Sequence, residues 1–145
     1  MCSSDLDLGV RVAECGFEPY ERDDGDHASG KFNPDLRYNV WLRAKGYASP
    51  NPWEDFANAG VMPDGTPVSG WSLRNAPYPS RVAEEHSETA YMTGRAIEFM
   101  REAGDRPWVL HLSYIKPHWP YVAPAPYHAM YPPETHLPEI GRAHV

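Results

Sequence analysis

Cysteine is scarce in this sequence, and no cysteine pattern that builds a disulfide framework is present. Cys2 and Cys15 are the only two cysteines among 145 residues. Two cysteines cannot form the several bridges that stabilise small secreted domains, so that class is excluded and the redox compartment stays open. The fold must instead be stabilised by burial of apolar side chains, and 41% hydrophobic residues are enough for a core.

Long apolar runs are also missing. No stretch approaches the roughly 18 apolar residues that a membrane span needs. The N-terminus has neither the basic start nor the apolar centre of a secretory signal. We therefore expect no membrane partner, and the compartment stays unknown with the cytoplasm as the default.

Positive charge is in deficit. The sequence has 13 Lys and Arg against 20 Asp and Glu, a formal net charge of -7. A nucleic acid backbone would be repelled and no basic stripe compensates, so nucleic acid is not an expected partner. The acidic residues cluster in ERDDGD and AEEHSE, which are typical of a solvated loop and a helix start.

The two ends of the sequence, residues 1–6 and 140–145, do not continue the pattern of their neighbours. IGRAHV can be encoded as ATC GGA AGA GCA CAC GTC. The reverse complement contains GTG TGC TCT TCC GAT, a start codon followed by Cys-Ser-Ser-Asp. One DNA sequence therefore encodes both ends on opposite strands, as a sequencing adapter ligated to each end of a fragment would. We expect both ends to be adapter artefacts and residues 7–139 to be an internal part of a longer protein.

The N-terminal part predicts a strand followed by an exposed loop. LGVRVAECGF alternates apolar and polar residues, which places Leu8, Val10 and Val12 on one side of a short strand. EPYERDDGDHASGKF is rich in aspartate and glycine, which favour turns. Its DDGDH lacks the glycine and distant glutamate of a calcium loop, so a turn is the preferred interpretation.

An asparagine followed by proline opens each of two predicted helices. Asn33 caps the first, which Gly46 ends, and Asn51 caps the second, which Gly60 ends. Prolines and glycines break every period over residues 61–80 and predict an irregular connection. Connections of this length are usually functional or mobile.

A long helix and a strand then follow in α/β order. The helix is predicted from residue 87 or 88 to 103, with Ala90, Ile97 and Met100 on its apolar stripe. Residues 108–115 predict a strand with bulk on both faces, hence one buried between two layers. A helix joined to a strand by a short link is typical of α/β proteins.

The stretch KPHWPY comes directly after the predicted strand. Ligands of open α/β sheets bind beyond the carboxyl ends of the strands. The flanking prolines predict an extended backbone, on which Lys116 and His118 share a face. An imidazole beside a lysine suits an anionic oxygen, as hydrogen-bond donor or as the acid that protonates a leaving group. A structural histidine and a solvated lysine remain open alternatives.

The other histidines do not predict a metal site. They lack the short helical or knuckle spacing of zinc ligands. They are His86, His111, His128 and His136. We therefore expect no residue of this chain to bind a metal.

ETAYMTGRAIEFM followed by PWVLHLSYIKPHWPYVAPAPYHAMY resembles the sulfatase branch of the alkaline phosphatase superfamily. It is most similar to the phosphonate monoester hydrolase and arylsulfatase-like group, which carries a helix, a strand ending in K-P-H-x-P or R-P-H-x-P, and a P-Y segment. GVRVAECGFEPYERDDG and YNVWLRAKGYASPNPW also resemble inserted segments of this group. The resemblance implies an α/β fold: a fragment of an alkaline-phosphatase-like sandwich, with a central sheet flanked by helices and long irregular loops.

The resemblance also implies roles for single residues. His118 stands where the family places a histidine that hydrogen-bonds the sulfate or phosphate group, which makes it the expected catalytic and substrate-binding residue. Lys116 is expected to support substrate binding. Trp119 and Tyr121 are expected to line the pocket, with aromatic core packing as the open alternative.

For the complete enzyme, the resemblance implies hydrolysis of small sulfate, phosphate or phosphonate esters by a formylglycine beside a divalent cation, calcium or manganese. The C-x-P-S-R motif of the formylglycine is not in this chain, and the early aspartate pair and late Asp-His or Asp-Asn pair of the metal site are also missing. We expect this chain to bind neither cofactor and to be inactive alone. Oligomerisation of the complete enzyme stays open.

PYVAPAPYHAMYPP supports one alternative, a non-enzymatic interaction module with a polyproline II surface. The two hypotheses differ in the exposure of residues 124–133. A segment that stands free of the body favours binding, and one that packs over the strand end favours the hydrolase.

Overall fold

The computed structural model describes residues 17–19, 21 and 34–132. Its longer elements are helix α1 (Arg37–Ala44), a π-helix (Trp53–Ala57), strands β1 (Ala59–Val61) and β2 (Pro67–Ser69), and helix α2 (Glu88–Ala103). Short 3-10 helices occupy Leu73–Asn75, Glu84–His86 and Tyr127–Ala129. The predicted strand at Leu8, the DDGDH loop, His136 and the two ends lie outside the described residues, and the domain boundaries stay predictions.

Helix α1 is confirmed, but it begins later than its sequence signal. Its N-cap is Leu36, which makes no side-chain capping bond, and Asn33 lies outside the described residues. The helix ends before Gly46, whose φ of 96° is the left-handed conformation that glycine adopts without a Cβ clash.

The core is an aromatic cluster between α1, the π-helix and the first turns of α2. Tyr38 and Leu42 of α1 are 1% and 0% exposed, and they pack with Trp53 and Tyr91. The rings of Tyr38 and Tyr91 lie 5.1 Å apart between centroids, within the range of favourable aromatic pairs. The apolar burial of this cluster joins the two helices into one body.

The π-helix and hairpin correct two predictions. Asn51 Oδ1 does accept a hydrogen bond from Glu54 N at 3.2 Å, but the helix ends at Ala57 because Gly60 pairs with Val68 in the sheet. Residues 61–80, which were predicted to form an irregular connection, contain the turn of this antiparallel hairpin and its second strand, β2. Its turn closes with Met62 N donating to Thr66 O at 2.9 Å.

Helix α2 is confirmed with its predicted bounds. Ser87 Oγ accepts a hydrogen bond from Ala90 N at 3.2 Å, which satisfies a free donor of the first turn. The predicted apolar stripe was wrong, since Ile97 and Met100 are 36% and 38% exposed. The buried face carries instead Glu88, Tyr91, Ala96 and Ala103.

The prediction of a buried strand at residues 108–115 was wrong. No strand is formed there, and Val109 is 76% exposed while Trp108 and Ile115 are 45% and 44% exposed. Apolar bulk on two faces is buried only when sheet neighbours and covering layers are present. The described sheet is the β1–β2 hairpin, which does not reach this segment.

Helices of the described part do not reach the length and apolar character of a bilayer span.

Candidate functional site

The KPHWP stretch forms a turn, and the prediction of an extended backbone was wrong. His118 N donates a hydrogen bond to Ile115 O at 2.9 Å, and the peptide bonds before Pro117 and Pro120 are cis. Because the chain turns, Lys116 and His118 do not share a face. Lys116 is partly buried and His118 is exposed.

Lys116 binds the two ends of this turn to the hairpin. Its Nζ donates to Pro120 O at 2.7 Å and to Asn58 Oδ1 at 3.3 Å. Burial lowers the pKa of the Lys116 ammonium, and the negative charge of Glu88 opposes that shift. The lysine therefore stabilises the turn, and a direct contact with substrate stays a prediction.

His118 is exposed, and one nitrogen of its ring makes a hydrogen bond. Its Nδ1 lies 2.6 Å from the carbonyl oxygen of Trp119. A carbonyl can only accept, so Nδ1 carries the proton in this hydrogen bond and Nε2 is the atom directed to a ligand. Nε2 accepts a hydrogen bond when the ring is neutral and donates one when the ring is protonated.

Two aromatic residues flank the histidine. Trp119 is 40% exposed and meets Trp71 edge to face, with ring centroids 4.9 Å apart. Tyr121 is 55% exposed. Both rings thus offer free surface beside His118, and core packing does not account for Tyr121.

Glu54, Asn58 and Trp71 stand next to this site, and the sequence reasoning missed all three. Trp71 Nε1 donates to both carboxylate oxygens of Glu54, at 2.7 and 2.8 Å. These residues are more than forty positions from His118 along the chain, so no local spacing could have found them. The π-helix and the hairpin that follows it together bring them to the turn.

The proline-rich segment after the turn packs on the body. Val122 is 5% exposed, and Ser80 N donates to Ala123 O at 2.8 Å. Tyr127 lies in a 3-10 helix, and its hydroxyl donates to Glu84 Oε1 at 2.6 Å. Within residues 124–132, however, Tyr127, Met130 and Tyr131 are 45%, 54% and 76% exposed, so the exposure of this segment does not favour the hydrolase over a polyproline II surface.

A cleft lined by two arginines lies between α1 and α2. Its lining includes Arg37, Trp41, Gly94 and Arg95, and the KPHWP turn does not line it. Glu21 binds Arg95 through two hydrogen bonds of 2.6 and 3.0 Å and also pairs with Arg37. Glu98 forms a further ion pair with Arg95, so two carboxylates balance the two guanidinium groups and this cleft is a poor site for an anion.

The described residues do not fit the cation that the resemblance implies. In the part of the chain that the structure describes, no group of three or more His, Cys, Asp or Glu could hold a metal ion. Three or more such ligands from one centre are the usual requirement. No step of the chemistry below is therefore assigned to a metal bound by this chain.

Known proteins that resemble this chain include the following two, while no family model matches the chain. The multifunctional alkaline phosphatase superfamily protein PehA of Trinickia caryophylli is 36% identical over 113 residues, which are 77% of this chain and 20% of PehA. The solved structure of the phosphonate monoester hydrolase SpPMH from Silicibacter pomeroyi aligns with a TM-score of 0.55 and 29% identity. That alignment covers 81% of this chain and 24% of SpPMH. The chain spans about a fifth to a quarter of these relatives.

Proposed function

Since this chain belongs to the alkaline phosphatase superfamily, we propose that it is a segment of a hydrolase that cleaves small sulfate, phosphate or phosphonate esters. Its relatives are hydrolases of this superfamily, and the alignment with SpPMH agrees with the expected fold. The chain contributes a binding group for the anionic ester. The remaining groups belong to the larger part of the polypeptide, which this chain does not cover.

The observation that carries the proposal is the state of His118. Its exposed ring has Nδ1 bound to the Trp119 carbonyl, so Nε2 is free to meet an ester oxygen. As imidazolium, His118 donates from Nε2 to a non-bridging oxygen of the sulfate or phosphonate group. This hydrogen bond strengthens as negative charge grows on the transferring group, and it therefore lowers the barrier.

The aromatic rings beside His118 suit the organic part of the ester. Trp119 and Tyr121 expose their faces within three positions of the histidine. Flat apolar rings bind an aryl or alkyl group by stacking and by removal of water. Lys116 supports binding indirectly. Its hydrogen bonds to Asn58 and Pro120 fix the turn that carries His118, Trp119 and Tyr121.

The cofactors of the proposed enzyme come from outside this chain. A calcium or manganese ion and a formylglycine, when bound, would supply charge neutralisation and the nucleophile. The role of this chain's residues is to bind and orient the ester. We therefore expect the 145-residue chain alone not to turn over p-nitrophenyl sulfate or p-nitrophenyl phenylphosphonate.

The test uses the full-length product of the gene that encodes residues 7–139. We expect His118→Asn to lower kcat/KM for p-nitrophenyl phenylphosphonate by about 100-fold, the usual effect of losing one donor to a developing negative charge. His111→Asn is the matched control, since His111 is exposed on the same segment. Unchanged turnover in the His118 variant would show that this histidine does not bind the ester.

A further inference from the structure

The turn that carries His118 is held by two contacts that originate in the hairpin. One runs from Asn58 through Lys116, and the other runs from Trp71 through Trp119. Both reach the immediate neighbours of the histidine. In the function proposed above, Asn58 serves only as a hydrogen-bond acceptor for Lys116, and Trp71 has no role.

Asn58 is fixed more firmly than a surface asparagine. It is 3% exposed, its N–H donates to Trp53 O at 2.9 Å, and its carbonyl accepts from Gly70 N at 3.0 Å. A Cβ on Gly70 would lie 2.2 Å from the Asn58 carbonyl oxygen, so only glycine permits this close approach. The Oδ1 that Lys116 meets is therefore attached to a rigid point of the backbone.

The charge on Lys116 determines which way the Asn58 amide faces. Its Oδ1 accepts from the ammonium, while its buried Nδ2 has no hydrogen-bond partner among the described residues. A flipped amide would direct donors at a cation, which is unfavourable. A buried donor without a partner, such as Asn58 Nδ2, costs about 1–3 kcal/mol. The amide keeps this orientation in spite of that cost because Oδ1 then accepts from Lys116.

Trp71 fixes the turn from the other side. Its indole N–H is shared between both oxygens of Glu54, which sets the plane of the ring. The ring then meets Trp119 at an angle of 81°. Because the Trp119 carbonyl accepts from His118 Nδ1, the orientation of residue 119 decides which nitrogen of the neutral ring carries its proton and which way the imidazolium faces.

We propose that Asn58 and Trp71 are positioning residues for His118. Asn58 acts through Lys116, and Trp71 acts through Trp119. Together they hold the Trp119 carbonyl against Nδ1 and direct Nε2 outward. The kinetic part of this proposal rests on the proposed function of His118, and the structural part does not.

The kinetic test again uses the full-length gene product. Asn58→Leu removes the acceptor for Lys116, and Trp71→Leu removes the ring that meets Trp119. Each is expected to lower kcat/KM about 10- to 100-fold, because misplacement of a reacting group by about 1 Å has effects of this order. Asn58→Asp keeps an acceptor for Lys116 and should recover most of the activity, while Trp71→Phe keeps a ring but loses the bond to Glu54 and should recover only part of it.

A matched control separates positioning from stability. Asn75→Leu breaks another asparagine hydrogen bond, from Asn75 Nδ2 of the 3-10 helix Leu73–Asn75 to Ser69 O of β2 at 2.8 Å, and in the described part of the chain Asn75 makes no recorded contact with the KPHWP turn. It should lower stability and leave kcat/KM unchanged. A loss of activity in this control equal to that of Asn58→Leu would overturn the positioning role.

The second readout is the tautomer of His118, followed by long-range ¹H–¹⁵N correlation and assigned with His118→Asn. Measured at a pH where the ring is neutral, the wild type should carry the proton on Nδ1, and Asn58→Leu and Trp71→Leu should shift the ring to a mixture of both tautomers. If Asn58→Leu does not fold, Lys116→Met breaks the same link from the turn side. Wild-type tautomers and kinetics in the folded variants would overturn the proposal.

These outcomes also separate the two proposals. If His118→Asn is fully active while the tautomer responds to Asn58→Leu, the proposed function is wrong and the positioning contacts are real. If His118→Asn is inactive while the tautomer and kinetics of both leucine variants match the wild type, the function stands and the positioning proposal fails.

Discussion

Replacing Lys116 by methionine tests the turn at its strongest contact. The change removes the two hydrogen bonds to Asn58 and Pro120, while methionine keeps a similar unbranched stem. Hydrogen bonds to a charged group contribute about 1.5–3 kcal/mol each. The cost of taking the ammonium out of water offsets part of this contribution. We therefore expect the free energy of unfolding to fall by about 1–3 kcal/mol at pH 7.

The pH dependence of this difference has a defined sign. Burial lowers the pKa of Lys116 in the folded chain below the 10.5 of an exposed lysine. Between the two values the unfolded chain binds more protons, so this lysine makes the free energy of unfolding rise with pH. Below the folded-state value both states are protonated and the lysine contributes no slope. Lys116→Met lacks this term at every pH.

The assay is urea unfolding followed by far-UV circular dichroism at several pH values from neutral to 10.5. The wild type minus Lys116→Met difference should grow as the pH rises toward 10.5. Lys45→Met, which removes an exposed lysine, controls for the loss of one positive charge. A difference that shrinks as the pH rises would mean that pairing, and not burial, dominates at Lys116, and our reading of the turn would be refuted.

Two further predictions concern the hairpin and the core. Gly70→Ala should destabilise the fold by more than about 1 kcal/mol, because its Cβ would lie 2.2 Å from Asn58 O. Gly94→Ala should instead raise the free energy of unfolding by up to about 1 kcal/mol, because no described atom lies within 4 Å of the added Cβ. Equal effects of the two substitutions in urea unfolding would contradict this contrast. Tyr47→Phe should cost about 1–3 kcal/mol, since it removes the hydroxyl 2.9 Å from His86 Nδ1, and an unchanged urea midpoint would exclude that contribution.

Local signals predicted the helices well because each depends on neighbouring residues. Ser87 caps α2 as its hydroxyl and position suggest, and Gly46 and Gly104 end the two helices with positive φ values of 96° and 57°. The hairpin turn was also readable, since Pro63, Asp64 and Gly65 form a typical turn sequence that the interpretation of an irregular connection overlooked.

Features that depend on distant residues were not predictable in this way. Pattern alone placed residues 108–115 in a buried strand, whereas burial requires partners that no local window contains. The site shows the same limit, because KPHWP pointed to His118 but gave no sign of Asn58 or Trp71.

The exposed apolar row at Trp108, Val109, Tyr114 and Ile115 has a practical consequence for anyone who purifies this chain. Such a row, on backbone that can adopt the β conformation, is a template on which a second molecule can add a strand. We therefore expect concentrated preparations to associate, and we expect a charged residue in place of Val109 to reduce that association.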